Sequence, residues 1–397
     1  VSPTILSFLG LKVPSKMEGE GITAVRGGGA KQLQDLSARL DVVMTRRLSV
    51  FRDIVIAWLV VIALLFAVRR GPGLRAGARI AFLGALWLPV IALVTAALRP
   101  GKMTESLILA VASVVLGAVT DRLMPWPAAA ALPAFVSLGV HAVDLAAGSS
   151  LLSQSLTGSN PKGGARFYGI GNELEIILSV TTMLGAGAAL TYVPRHVKPR
   201  GFALIALVVA VIVGSGRLGA DVGGVITLGA GAAAAVLFSL PGGVTRRAIA
   251  IAVAVPVVAV IGLILLDLVT GGSSHLTRSV VHANSPGDLV DIVVRRLRLS
   301  TAGLNKGTLP ISIGISIALL VVGAWRWRDL LEPLDAAPDG GTAFRAGLVG
   351  AWTCTVIGAL ANDSGPVILL VGTVALILGV LYARSAPRLG RRVHLSY

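Results

Sequence analysis

Cysteine and charge are both scarce in this chain of 397 residues. The single cysteine, Cys354, lies inside an apolar run, which excludes an intrachain disulfide and a metal site built from several cysteines. Charged residues make up 14% of the chain, whereas a typical soluble domain contains about 25%. No spacing of His, Cys and Asp resembles a zinc or iron site. These absences argue against an ordinary soluble domain and predict no metal or other cofactor in this chain.

Apolar residues, in contrast, dominate the composition. Hydrophobic residues account for 55% of the chain, and its mean hydropathy is +0.84. Apolar runs of about 18–22 residues, the length that crosses a bilayer as a helix, recur along most of the sequence. We therefore predict an all-α integral membrane protein with about eleven transmembrane helices. The expected spans are residues 53–68, 80–98, 105–120, 128–147, 173–191, 202–216, 222–240, 247–269, 310–325, 343–361 and 364–382.

The net charge of +16 is compatible with a nucleic-acid-binding protein. However, the basic residues lie in short connections between apolar runs, where they orient helices, and the chain contains no basic domain that holds a duplex. We therefore expect a lipid bilayer, and no nucleic acid, as a partner.

The same basic residues predict the orientation of the helices. Alternate connections contain 17 Lys and Arg residues in one set and 10 in the other, and half of the ten lie in one long loop. Because short cytoplasmic connections are rich in Lys and Arg, the first set is expected to be cytoplasmic. The amino terminus is then outside and the carboxyl terminus inside.

Four short polar clusters interrupt the apolar chain, each at the end of a membrane-length run. They are GSNPKGGARFYGIGNE (158–173), GRLGADVGG (216–224), SSHLTR (273–278) and ANDSG (361–365). All four fall in the connections with fewer basic residues, so they are predicted to face outward on the same side of the bilayer. Three of them are expected to open helices that run inward, and the opening residues are Asn172 with Glu173, Asp221, and Asn362 with Asp363.

Two interpretations of these clusters remain open. Asn and Asp before a helix accept hydrogen bonds from its first amides, so each residue can be a simple cap. Capping does not account for the surrounding glycines, which let a ligand approach the backbone, or for acids at membrane depth, which usually mark a site or pathway. Helix amino ends that face one cavity also favour an anionic group. We therefore predict a shared outward-facing site.

The predicted site residues fall into three groups. The candidate catalytic residues, none of which is assigned a role, are Glu173, Asp221, His275 and Asp363. The expected substrate-binding residues are Lys162, Arg166, Tyr168, Asn172, Arg217, Arg278 and Asn362. The glycines expected to allow close backbone approach are Gly169, Gly171, Gly223 and Gly365. No metal ligand is predicted.

Three further features of the membrane segments lead to predictions. His141 and Asp144 lie near the outer end of the fourth span, where they line the same cavity or sit at the interface. Residues 286–303 form an interfacial amphipathic helix or a cationic lid over an anionic lipid head group. The Gly/Ala tract 228–235 predicts close helix packing.

The chain opens with VSPTILSFLGLKVPSKMEGEGI (1–22), and the residues that carry a recognisable spacing are Pro3, Thr4, Leu6, Leu9, Gly10, Pro14, Met17 and Gly19. This pattern resembles the end of alkaline-phosphatase-superfamily domains, which include metal-dependent phosphoglycerate mutases and sulfatases. The resemblance implies an upstream phosphatase-like domain that holds divalent metal, and none of its ligands or its nucleophile falls in this sequence. An ordinary short helix with a Pro-Ser turn is the alternative. Since Val1 is not an initiator Met and no signal peptide is visible, we expect a fragment of a longer protein.

The motifs GARFYGIGNELE, GADVGG and NDSG occur in this order, with a His-Leu-Thr-Arg loop between the last two. Together they resemble a group of bacterial multi-spanning proteins in which an alkaline-phosphatase-like domain precedes the membrane helices. The resemblance implies an architecture and a location in the bacterial cytoplasmic membrane, but no reaction. The site positions that it implies are Arg166, Tyr168, Gly169, Gly171, Asn172, Glu173, Asp221, Gly223, His275, Arg278, Asn362, Asp363 and Gly365.

These features divide the chain into four expected segments. Residues 1–22 are the remnant of a phosphatase-like domain, and residues 23–52 are a linker with a surface helix. Residues 53–384 are the helical membrane domain, and residues 385–397 are a basic cytoplasmic tail.

Three functions are consistent with this organisation, and whether the chain is an enzyme stays open. The first is a membrane module that binds or translocates an anionic or phosphorylated cell-envelope substrate, lipid-linked or free, at the outward-facing cavity. The second is a membrane-embedded transferase or hydrolase of lipid-linked envelope precursors, with one candidate acid or His275 as general base. The third is a membrane anchor for the phosphatase-like domain, for which this many spans are excessive.

Overall fold

The computed structural model describes residues 2–14, 29–159, 169–216, 218–250, 309–362 and 364–387, with a few isolated positions between these ranges. The described residues form helices and connections without any strand. Internal contacts divide the chain into two compact units, Val1–Val42 and Val43–Tyr397. The first unit contains helix α1 (Ser2–Phe8), and its Thr4 hydroxyl accepts a hydrogen bond from the Ile22 amide at 2.6 Å.

Eleven further α-helices are described over their full length. They are α2 (Ala30–Val68), α3 (Arg70–Leu98), α4 (Lys102–Leu123), α5 (Ala131–Ala146), α6 (Asn172–Ala189), α7 (Lys198–Gly214), α8 (Val222–Ser239), α9 (Leu309–Trp325), α10 (Trp327–Leu331), α11 (Thr342–Ala361) and α12 (Gly365–Arg384). The backbone leaves the helical region at Arg70, where φ is 46°, and this kink separates α2 from α3. The surface helix predicted for the linker and the first predicted span are therefore one continuous helix, α2.

Eight of the described helices are long and apolar enough to cross a membrane, or nine if the bent pair α9 and α10 is one span. The prediction of an all-α, multi-pass membrane protein is thereby confirmed. The predicted number of eleven spans is larger than this count. Of the remaining predicted spans, 202–216 corresponds to α7, which has 17 residues, and 247–269 lies mostly outside the described residues.

Small residues bring the central helices of the second unit together. Helix α11 packs against both α6 and α8. A Cβ atom added to Gly350 of α11 would lie 2.9 Å from the carbonyl oxygen of Gly231 in α8, so only glycine fits there. This contact confirms the close packing predicted for the tract 228–235. Cys354 is fully buried in the same interface and acts as a small packing residue.

Hydrogen bonds and ion pairs hold neighbouring connections together at each of the two ends of the helical bundle. At one end, Arg46 binds the Pro100 carbonyl at 3.0 Å and Arg47 binds the Gly158 carbonyl at 2.5 Å. Here the loop before α6 also meets the loop before α8, because the Ile170 amide donates to the Gly219 carbonyl at 2.8 Å. We call this the polar end. These connections belong to the set that the charge count identified as poor in Lys and Arg.

The opposite end contains paired charges, and we call it the ion-pair end. Lys198, at the start of α7, pairs with Asp339, which precedes α11. Arg79 of α3 makes a bidentate pair with Asp121 of α4, at 2.6 and 3.0 Å, and also binds the Ser385 carbonyl at 2.8 Å. These connections belong to the set that is rich in Lys and Arg.

Candidate functional site

Three of the four polar clusters meet at the polar end. The Asn172 amide nitrogen donates to the Ser364 hydroxyl at 2.9 Å, which joins the first cluster to the last across 192 positions of sequence. Gly223 of the second cluster packs directly against Asn362, because a Cβ on Gly223 would overlap the Asn362 Oδ1 atom. The convergence that we predicted from charge counting therefore holds for the described residues of these three clusters. The fourth cluster, 273–278, lies outside them.

Two carboxylates occupy the interior of this meeting point. Glu175, in the first turn of α6, is fully buried, and its Oε1 accepts a hydrogen bond from the Ser179 hydroxyl at 3.0 Å. Its Oε2 has no hydrogen-bond partner among the described residues. Asp221, 5% exposed, precedes α8 and accepts a bond from the Gly224 amide at 3.3 Å. An ionisable side chain buried at membrane depth is costly and usually marks a site or a pathway.

Gly224 lies between the two acids. A Cβ atom on this residue would lie 2.7 Å from the Glu175 Cγ and 2.6 Å from the Val213 Cγ1. Because Asp221 accepts the amide proton of Gly224 while Glu175 packs against its α-carbon, the two carboxyl groups flank the same residue. Two acids on either side of one residue form an environment that suits a cation or a basic side chain.

Asn362, at the end of α11, lies beside these polar residues. It is 5% exposed and stands at the carboxyl end of α11, where its amide nitrogen donates to the Gly358 carbonyl at 3.3 Å. The expectation that Asn362 opens the last helix is wrong, because α12 begins at Gly365 after a break at Ser364. We call Asn172, Glu175, Asp221, Asn362 and Ser364 the polar site.

The capping alternative accounts for one of these residues. Asp221 does cap α8 through the Gly224 amide. The residue at the cap of α6, however, is Gly171, which has no side chain to accept a bond, and Asn172 reaches across to Ser364 instead. Ser364 also makes no side-chain cap to α12. Capping of the helix that follows therefore does not explain Asn172, and Asn362 instead bonds a carbonyl at the end of the helix before it, α11.

The predicted glycines allow backbone segments to approach one another. Gly169 has a φ of +79°, and a Cβ there would overlap the Gly219 carbonyl oxygen. A Cβ on Gly171 would lie 2.9 Å from that of Ser159. Gly365 is the buried first residue of α12. In the described residues the close contacts of Gly169, Gly171 and Gly223 are therefore between parts of the chain itself.

Glu173 lies at the edge of the polar site. Its side chain is 40% exposed and forms an ion pair with Arg47 at 3.8 Å. Sequence reasoning singled out Glu173 and missed Glu175, which is the buried acid of the pair. The signal was present, since Glu175 is an ionisable residue within an apolar span, and such residues usually have a function.

His141 and Asp144 have local structural contacts. The Asp144 carboxylate accepts bonds from the Leu151 and Leu152 amides at 3.1 and 2.9 Å, so it fixes the turn that leads toward the first polar cluster. The buried His141 ring contacts the Ser137 carbonyl at 2.7 Å through Nδ1. Asp144 therefore positions a connection of the polar end.

Several predicted residues lie outside the described part of the chain. They are Lys162, Arg166, Tyr168, Arg217, His275, Arg278 and Asp363, together with the amphipathic segment 286–303. Within the described residues, no group of three or more His, Cys, Asp or Glu side chains is arranged to hold a metal ion. The predicted absence of a metal or other cofactor stays a prediction.

The fold and this site define a class, a helical multi-pass membrane protein with a buried polar site at one end of its bundle. Comparisons with protein-family models, with curated proteins and with solved structures found no match to this chain. The two family resemblances therefore stay predictions, and the proposal of a function depends on the geometry of the polar site.

Proposed function

We propose that this protein binds or translocates an anionic or phosphorylated cell-envelope substrate at the polar site. The observation that carries the proposal is the meeting of three distant clusters around two buried carboxylates, Glu175 and Asp221. Acids buried at membrane depth usually belong to a substrate or ion pathway, because burying them is costly.

The basic, amide and acidic residues of the clusters have different roles in this proposal. Arg166, Arg217 and Arg278, with Lys162, hold the phosphate group, since guanidinium groups bind phosphate in a bidentate manner. Asn172, Asn362 and Tyr168 position the substrate by hydrogen bonds. Glu175, Asp221 and Asp363 orient the arginines, or hold the proton or cation that accompanies the substrate.

The proposed topology places the polar end outside and the ion-pair end in the cytoplasm. It contains eleven spans, with the amino terminus outside and the carboxyl terminus inside, in a bacterial cytoplasmic membrane. Support comes from the excess of Lys and Arg in one set of connections, 17 against 10. The family resemblance implies a phosphatase-like domain upstream of this chain. In the proposed topology that domain lies outside the membrane, at the polar end, where it would receive the bound substrate.

Binding can be tested with the full chain, purified in a mild detergent, by identifying its retained phosphorylated compounds with mass spectrometry. We expect the wild type to retain such a compound and Asn362→Ala to lose it. Thr353→Ala is the control, because this hydroxyl on α11 bonds only the Val349 carbonyl of its own helix among the described contacts. Equal retention by wild type and Asn362→Ala, or retention of neutral lipid alone, would contradict the proposal.

Translocation is tested separately from binding. Asp221→Asn and Asp363→Asn are reconstituted in vesicles, and flux of the compound identified above is measured. If the acids carry the coupling proton or cation, both variants lose flux. Unaltered flux in both would exclude translocation through this site and leave binding and presentation.

A further inference from the structure

An elongated apolar groove leads into the membrane from the polar end. It has a volume of about 520 Å³ and lies between α2, α3, α6 and α12. Its wall includes Phe51 and Trp58 of α2, Leu86 of α3, Ile177 of α6 and Val371 of α12. The groove is open along one side, and Leu48, Val55 and Val374 on its wall are exposed, so a bilayer lipid can reach it.

The groove separates two packed apolar cores. Ile54 and Trp58 belong to a core formed by α2, α3 and α4, whereas Phe82 and Leu86 belong to the larger core of the bundle. All four residues line the groove. Because the walls are apolar on both sides, the matching occupant is a hydrocarbon chain.

The dimensions of the groove fit a chain that enters from the polar end. Three helices line it over matching stretches, namely 47–58 of α2, 173–184 of α6 and 367–378 of α12. Each stretch extends about 16 Å along its helix axis. That is about half the hydrocarbon thickness of a bilayer, so the groove reaches from the polar end to near the midplane.

The polar end of the groove contains one cationic and one anionic side chain. Arg47, Thr157 and Glu173 line it there. The Arg47 guanidinium binds the Gly158 carbonyl and pairs weakly with Glu173, while its buried Nε has no partner among the described residues. Glu173 directly follows Asn172 of the polar site. The groove is thus continuous with the site, and a cationic donor stands at the junction.

We propose that one hydrocarbon chain of an anionic lipid lies in this groove, with its phosphate group held by Arg47 at the edge of the polar site. This inference rests on the proposed function and defines its substrate class as a phosphate-bearing lipid. The Arg47 guanidinium, which is only weakly paired with Glu173, and the continuity with the polar site favour a phosphate-bearing lipid over a neutral one.

A second apolar groove provides a control. It has a volume of about 570 Å³ and lies between α9, α11 and α12. The charged residue on its wall, Arg384, binds the carbonyls of Asp329 and Leu330 at 3.0 and 3.2 Å. Because Arg384 and this groove lie at the ion-pair end, the second groove shows whether labelling depends on continuity with the polar site.

The test is photo-crosslinking of the full chain in nanodiscs. The probe is phosphatidic acid with a diazirine at the end of one acyl chain, and the comparison probe is the corresponding diacylglycerol. Val371→Trp fills the proposed groove, and Val380→Trp, also half-buried on α12, fills the second one. We expect phosphatidic acid to label peptides from 51–58 and 367–378 in the wild type and in Val380→Trp, and to lose this label in Val371→Trp. Equal labelling of wild type and Val371→Trp would overturn the proposal.

Arg47 is tested by the difference between the two probes. Arg47→Gln is expected to weaken labelling by phosphatidic acid about tenfold and to leave labelling by diacylglycerol unchanged. Arg52→Gln is the control, because Arg52 is exposed on the same helix and pairs with Asp53 away from the groove. An equal loss with both probes would contradict a head-group role for Arg47.

Failure of this inference can be told apart from failure of the proposed function. If Asn362→Ala keeps wild-type labelling and wild-type retention of phosphorylated compounds while Val371→Trp loses labelling, the groove binds lipid and the proposed function is wrong. If Val371→Trp retains the co-purified phosphorylated compound as the wild type does, the substrate binds without the groove, and this inference is wrong.

Discussion

The two ends of the bundle differ in how their buried ionisable side chains are paired. At the ion-pair end, Lys198 is fully buried and its charge is matched by Asp339, whose oxygens also accept the Gly341 and Ala343 amides at 2.9 and 2.8 Å. At the polar site, Glu175 is buried just as deeply, and its described hydrogen bond is the one from Ser179. Lys198 is thus matched by an opposite charge, whereas Glu175 has no cationic partner among the described contacts.

This difference separates structural from functional polar residues. A buried ion pair with satisfied oxygens holds α7 against the loop before α11, and breaking it leaves an uncompensated charge. A carboxylate with an unused oxygen contributes little to the fold and is available to a ligand, proton or cation. Mutations at the two ends should therefore affect different properties, stability at one end and ligand retention at the other.

The largest expected effect is on stability at the ion-pair end. Lys198→Met leaves the Asp339 carboxylate buried without its cation and should lower the free energy of unfolding by about 3–5 kcal/mol. Arg326→Met is the control, because its ion pair with Asp329 is exposed and should contribute less than about 1 kcal/mol. Denaturant titration of both variants in detergent measures this, and equal losses would remove the distinction between buried and exposed pairs.

A steric change at the polar site should have an intermediate effect. In Gly223→Ala the new methyl group overlaps the Asn362 side chain, and such overpacking typically costs about 1–3 kcal/mol. Gly139→Ala on α5 is the control, since nothing lies within 4 Å of the added Cβ, and alanine is favoured in a helix by about 0.5–1 kcal/mol. Thermal melting compares the two, and a Gly223→Ala protein as stable as the wild type would contradict the described contact.

The smallest effect is expected for the link between the first and last polar clusters. Ser364→Ala removes the acceptor of the Asn172 amide and should destabilise by about 0.5–1.5 kcal/mol. Ser153→Ala, at an exposed hydroxyl bonded to the Ser150 carbonyl, should change stability by less than about 0.5 kcal/mol. If both serine variants melt alike, Asn172 and Ser364 do not join the two clusters in solution.

Much of this fold could be predicted from the sequence, because membrane-length apolar runs and charged connections are local patterns. The proximity of Asn172, Ser364 and Gly223 could be predicted, because the charge count placed their three connections on the same side of the bilayer. The partners within that meeting could not be predicted, since they depend on the rotation of each helix about its axis. This is why Glu175 was missed, although Glu173 was singled out two positions earlier. The pairing of Lys198 with Asp339 spans 141 positions and was not predicted either.

The most direct test of the central claim replaces Glu175 by glutamine and measures the phosphorylated lipid retained by the purified chain, together with its melting temperature. Glutamine keeps the acceptor for Ser179 and replaces the acid with a neutral amide that cannot exchange a proton, so stability should be unchanged or higher. Asp335→Asn makes the same change in an exposed acid at the ion-pair end. The account predicts that Glu175→Gln loses the lipid while melting as the wild type does, and that Asp335→Asn retains it. A Glu175→Gln protein that retains the lipid and melts well below the wild type would show that Glu175 serves the fold, contrary to this account.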